Sequence, residues 1–133
     1  MVFPVVTAIA AALLGLIFAV LSGWVMAARL STGVLHGDGG QELLGRRARA
    51  HANFIEYVPL ILLLVGLLEC AGGSRILIEI LLLVLVVARL MHPLGMLAPL
   101  NSRPQYVFRG GAATATLIVL AVSAIALLVR CIA

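Results

Sequence analysis

Lysine is missing from all 133 residues, only five residues are acidic, and charge of either sign makes up 11% of the chain against 64% hydrophobic residues. Soluble domains carry about 25% charged residues, so a water-soluble globule is excluded and an integral membrane protein is expected. Without lysine no Gly-Lys-Ser/Thr follows the Gly37-Asp38-Gly39-Gly40 run. That removes a phosphate-cradling reading of the run and leaves a turn-rich connector in which His36 is solvated. Cys70 and Cys131 are too few for a disulfide framework; they close the second and fourth hydrophobic segments, and two unpaired thiols are expected. His36, His51 and His92 stand apart from each other and from the cysteines, so no metal site is expected. Nor is there a repeat of solenoid length or a low-complexity tract.

What the chain does have is four long apolar runs. Pro4 to Ala28 carries no charge and spans roughly 37 Å as a helix, enough to cross a hydrocarbon core of about 30 Å. The nearest basic residue, Arg29, follows this run instead of preceding it, which favours a spanning helix over a signal peptide. Ala11, Gly15, Ala19, Gly23 and Ala27 form a small-residue ridge suited to close helix packing. The second helix is expected from Gln41 or Gly45 through Glu69, with a mild kink at Pro59, and the third from Arg75 to His92, where Pro93 and Gly95 break it. A fourth begins at Gln105 or Phe108. Residues 1–133 thus read as one domain, an all-α, up-and-down bundle of four transmembrane helices.

Nine arginines supply the whole positive charge, and seven gather around the first and third loops: Arg29, Arg46, Arg47, Arg49, Arg89, Arg103 and Arg109. The positive-inside rule puts those loops in the cytoplasm and the termini outside. Topology therefore accounts for the net charge of +4, and a nucleic-acid partner is not expected.

The most informative stretch runs from Arg46 to Pro59, where charge enters an apolar segment. At about 100° per residue, Arg46, Arg49, Asn53, Glu56 and Tyr57 share one helix face. An ionised group near a bilayer centre costs about 2.5–3.5 kcal/mol on insertion scales, so such a stripe faces a bundle interior or a wet cavity. Arginine can take a carboxylate in a bidentate pair, glutamate can accept from an ammonium and asparagine can do either, which makes a site for a zwitterion. His51 lies on the other side of the helix, so function on both faces would require a pocket between subunits.

The pattern Arg49-Ala50-His51-x-Asn53-x-x-Glu56-Tyr57-x-Pro59 closely resembles the signature of the membrane-associated proteins in eicosanoid and glutathione metabolism, the MAPEG family. The likeness extends to Arg29, the Gly37-Asp38-Gly39-Gly40 loop, Ala88-Arg89-Leu90-Met91-His92 and Arg109, and it is of the bacterial type. It implies a homotrimer and a glutathione-dependent membrane enzyme of transferase or peroxidase type, acting on a hydrophobic electrophile or lipid hydroperoxide. On the resemblance, Arg49, Asn53, Glu56 and Tyr57 hold the γ-glutamyl end of glutathione and Arg29 and His51 the glycyl end. His92 joins the binding set, in a region where mammalian members carry tyrosines. Arg109 is the catalytic group that stabilises the thiolate; Arg103 is its rival, and the bacterial-type pattern of Arg, small residues and Thr116 favours Arg109. The family also includes a member without catalysis of its own, so a lipid-binding or interaction protein of the same fold is the alternative. A small four-helix exporter would need an ionisable residue in the first helix, which has none.

Overall fold

A computed structural model describes residues 3–132 and consists of helices only. Helix α1 spans Val5–Thr32, α2 Glu42–Cys70, α3 Arg75–Leu97 and α4 Ala112–Ile132, and a π-helical segment, Gln105–Gly111, leads directly into α4. All four long helices have the length and apolarity to cross a membrane. The protein is therefore a multi-pass integral membrane protein with the expected four-helix bundle fold. Helices α2 and α3 form the centre, each touching both other helices; α1 and α4 flank them and do not meet.

The core is a column of branched aliphatic side chains: Leu14 of α1, Ile61 and Val65 of α2, Ile78 and Leu85 of α3, and Val119 of α4. Leu16, Val20, Leu63, Leu83, Ile118 and Leu128 point outward. In water that would be an aggregation surface; in a bilayer it is the solvated one. Burial alone therefore does little to hold the bundle together, and polar ties at the helix ends assume a larger share.

At one end, α1 starts without a cap of its own, and Glu69 at the end of α2 supplies one. Its carboxylate accepts from Val6 N (3.0 Å), Thr7 N (2.9 Å) and Thr7 Oγ1 (2.7 Å), satisfying amides that a helix start leaves unpaired. Arg130 Nε donates to Ala71 O at 2.9 Å and ties α4 to the turn after α2. Arg75 and Glu79 pair at 2.7 Å on an exposed face, the expected structural contact. Cys70 and Cys131 are free thiols.

At the other end, α1 closes on Gly33, whose φ of 68° suits a left-handed helix cap. One boundary differs from the sequence expectation, and one helix starts at the expected residue with a different geometry. Helix α3 does not stop at His92: it runs through Pro93 and Gly95 to Leu97. His92, Gly95 and Met96 are all buried there, and Arg46 of α2 donates to the carbonyls of Met96 (3.4 Å) and Ala98 (3.0 Å) at the helix end. Packing on both sides thus outweighs the lost proline N–H. The fourth helix begins at Gln105 as expected, but with a wide turn instead of an α-helical one. Gly95 permits this: a Cβ there would collide with the backbone of Phe108 and Arg109.

Candidate functional site

The close approach at Gly95 brings the π-helical segment against α2 and α3 and leaves a cleft of about 320 Å³ between them. Arg49 and Asn53 of α2, His92 and Met96 of α3, and Gln105, Tyr106 and Arg109 of the π-helical segment line it. A second hollow of about 370 Å³ shares Arg49, Met96, Gln105 and Arg109 and opens toward Asp38 and Glu42 of the first loop and α2. π-Helical turns are rare and occur often at functional sites. Here the wide turn is the element that presents Arg109.

Four of the eight residues singled out in the sequence therefore meet in one cleft: Arg49, Asn53, His92 and Arg109. Glu56 reaches its rim through a long ion pair to Arg49 at 4.0 Å, in which both side chains are largely exposed. Tyr57 is half-buried against the apolar core. Arg29 lies on α1 and donates to the carbonyls of Val34 (3.2 Å), Leu35 (3.2 Å) and Gly37 (3.0 Å), holding the first loop over the helix end. His51 is on the α1 side of α2, within 3.0 Å of Ser22 Oγ and stacked on Phe18 at 4.8 Å. Arg103 is exposed on the third loop and lines neither hollow. The stripe on α2 thus disperses: Arg46 goes to the end of α3, Tyr57 to the core, Arg49 to the exposed mouth of the cleft with Glu56 beside it, and Asn53 to the bundle interior.

Asn53 points toward a residue that sequence reading had placed at the end of α3. Arg89 is 1% exposed, the largest of the fully buried side chains. Its Nη1 donates to Asn53 Oδ1 at 2.8 Å, and its Nη2 donates to Thr116 Oγ1 and to Ala112 O. Thr116 hence partners Arg89 and not Arg109, because its position in α4 faces the bundle interior. Among the described residues no carboxylate pairs with Arg89. The signal that could have found it is the one that found the stripe: an arginine inside the apolar run from Ile76 to Leu90 must turn inward.

Seven arginines at this end face only Asp38, Glu42 and Glu56, whereas Arg75 and Arg130 match Glu69 and Glu79 at the other. The whole net charge of +4 thus belongs to the end that holds the cleft. Arg49 and Arg109 can bind anionic oxygens or a thiolate directly, with Asn53 and His92 beside them.

Fold and site together define a polytopic membrane protein with a cation-lined polar cleft at one end of a four-helix bundle. The chain belongs to the MAPEG family, whose model matches residues 7–129; the family works in glutathione and lipid metabolism. It is similar to the inner membrane protein YecN of Escherichia coli K12, with 34% identity over 90 residues, covering 68% of this chain and 69% of the relative. The protein of the same name from Escherichia coli O6:H1 is similar to the same extent. No solved structure matches.

Proposed function

We propose that the protein is a glutathione-dependent membrane enzyme, a glutathione transferase or lipid hydroperoxide reductase, with the cleft as its glutathione site. The observation that carries this reading is the convergence of Arg49, Asn53, His92 and Arg109 on one cavity with surplus positive charge. Glutathione brings two carboxylates, an ammonium and a thiol. Free thiols ionise near pH 8.5, and an adjacent cation favours the reactive thiolate at neutral pH. Arg109 supplies that cation, while Arg49 and Asn53 hold the γ-glutamyl end with Glu56 as acceptor for its ammonium. His92 completes that wall, and Tyr57 packs behind it against the apolar core. The acceptor molecule, a hydrophobic electrophile or lipid hydroperoxide, reaches the sulfur from the membrane.

A homotrimer belongs to this proposal. Arg49 and Glu56 lie exposed on α2, and among the described residues no atom outside the helix's own backbone lies within 4 Å of a Cβ placed at Gly15 or Gly23 of the α1 ridge. Charge on a spanning helix needs cover, and a neighbouring copy provides it while bringing its own Arg29 and His51 to the glycyl end. The Arg-rich end faces the cytoplasm by its charge. With Cys70 and Cys131 replaced by serine, a Ser31→Cys variant should resist a membrane-impermeant maleimide in right-side-out vesicles and react in inverted ones; the opposite pattern reverses the orientation.

One observation favours a second reading, a lipid-binding protein without catalysis. A groove of about 520 Å³ between α1 and α3 is walled by Leu16, Val20, Leu90 and Leu94 and is almost wholly apolar. The deciding experiment is a thermal melt of the purified protein with and without millimolar glutathione, followed by turnover of an electrophile and of a lipid hydroperoxide. A ligand that binds only the folded state raises the melting temperature, by about 2.7 kcal/mol of stability at 100 times its Kd. No shift removes glutathione; a shift without turnover leaves binding alone.

A further inference from the structure

The buried guanidinium of Arg89 does more than join helices. Arginine carries N–H donors and no acceptor, so whatever part of Asn53 meets it must be the carbonyl oxygen. The 2.8 Å contact from Arg89 Nη1 therefore fixes which way the Asn53 amide faces, by chemistry and not by the appearance of the side chain. Arg89 is itself immobilised. Its Nη2 donates to Thr116 Oγ1, and the Thr116 hydroxyl hydrogen is already given to Ala112 O at 2.8 Å. Thr116, at 1% exposure, can only accept from the arginine, and the guanidinium plane is held between α2 and α4.

From this we infer that Arg89 is a positioning residue that takes up the Asn53 oxygen and leaves Asn53 facing the cleft as a donor, so that this wall selects an acceptor oxygen of an anionic ligand. The ligand side of the inference rests on the proposed function; the Arg89–Asn53 clamp does not. Asn53 lines the cleft beside Arg49 and His92. A carboxylate of glutathione placed there accepts from the Asn53 amide, and its ammonium is directed away, toward Glu56 at the rim. Arg89 does not line the cleft: its buried charge, without a carboxylate partner among the described residues, acts through the amide it polarises.

Asn53→Asp separates positioning from mere structure, because aspartate keeps the acceptor that Arg89 needs and removes the donor that the ligand needs. In the ligand-free full-length protein, Asn53→Asp should melt at or above the wild-type temperature, since the new pair is charge-assisted. Asn53→Leu, which strands the guanidinium, should melt several degrees lower or fail to fold. In titrations with glutathione, Asn53→Asp should bind at least about tenfold more weakly, a loss of donor joined to like-charge repulsion. A stable Asn53→Asp variant with unchanged glutathione affinity overturns the donor assignment. An Asn53→Asp variant that melts well below wild type while Asn53→Leu is harmless overturns the clamp. If wild type shows no glutathione binding but the melting order holds, the proposed function falls and the clamp stands.

Discussion

Glu69 at one end of the bundle and Arg89 toward the other both tie helices together through a charged side chain, and they differ in how completely that charge is answered. Glu69 meets two backbone amides and a hydroxyl at the start of α1. The helix dipole points its positive end at the carboxylate, and the contact is complete without any further partner. Arg89 meets an amide oxygen, a hydroxyl and a carbonyl, all neutral, and its Nε has no partner. In the neighbouring cleft Arg49 and Arg109 have, among the described residues, one ion pair between them, the long contact of Arg49 to Glu56. A closed tie serves structure. An end that leaves surplus positive charge around a cleft suits an anionic ligand, because an anion bound there would complete what the protein leaves open.

The largest effect is expected of Arg109→Ala. If the open end is the reactive one, turnover should fall about 100- to 1,000-fold, the loss seen when a preorganised charge-stabilising donor is removed. Glutathione binding should change little, and the absorbance near 240 nm expected of a bound thiolate should vanish. Arg103→Ala should do neither. Activity kept by the first variant and lost by the second would transfer the role to the third loop.

Gly95→Ala probes the geometry that presents Arg109. The added methyl group has no room against Phe108 and Arg109, so stability should drop by about 1–3 kcal/mol, the usual range for overpacking. Turnover should drop with it, as displacement of a catalytic group by about 1 Å can cost 100-fold. A fully active, equally stable variant would show that the wide turn tolerates movement.

Glu56→Gln tests the acid paired with Arg49 at the open end. Glutathione affinity should weaken by about 1.5–3 kcal/mol, the range for hydrogen bonds to charged groups, with assembly intact. Isothermal calorimetry reads the first and crosslinking the second. Unchanged affinity with loss of the oligomer would make Glu56 an intersubunit clamp.

The smallest change is expected from Glu69→Gln at the closed end. Loss of the charged cap should lower stability by about 1–2 kcal/mol while glutathione binding and turnover stay at wild-type levels. A selective loss of binding would mean that the ends are coupled.

Some of this was readable from residue order and some was not. Four uncharged or nearly uncharged runs of bilayer length leave few folds open, because backbone amides in lipid must be satisfied within a helix or a closed barrel. The family was legible because Arg49, Asn53, Glu56, Tyr57 and Pro59 lie close together in sequence on one helix. Helix α3 was harder. Pro93 signals an end in water, and only the packing of His92, Gly95 and Met96 carries the helix onward. The wide turn at Gln105–Gly111 has no local signal beyond its glycines, since its cause, Gly95, lies on another helix.

Sequence alone thus determined the solvent, the helix count, the family and the end of the bundle where positive charge collects, all of which follow from hydropathy and local spacing. Tertiary structure alone decided which charges meet. Arg46, Arg49 and Asn53 share a face of α2, yet Arg46 ends on α3, Arg49 at the exposed mouth of the cleft and Asn53 on Arg89. The partner of each is set by the neighbouring helix, and no periodicity along α2 contains the position of α3 or α4.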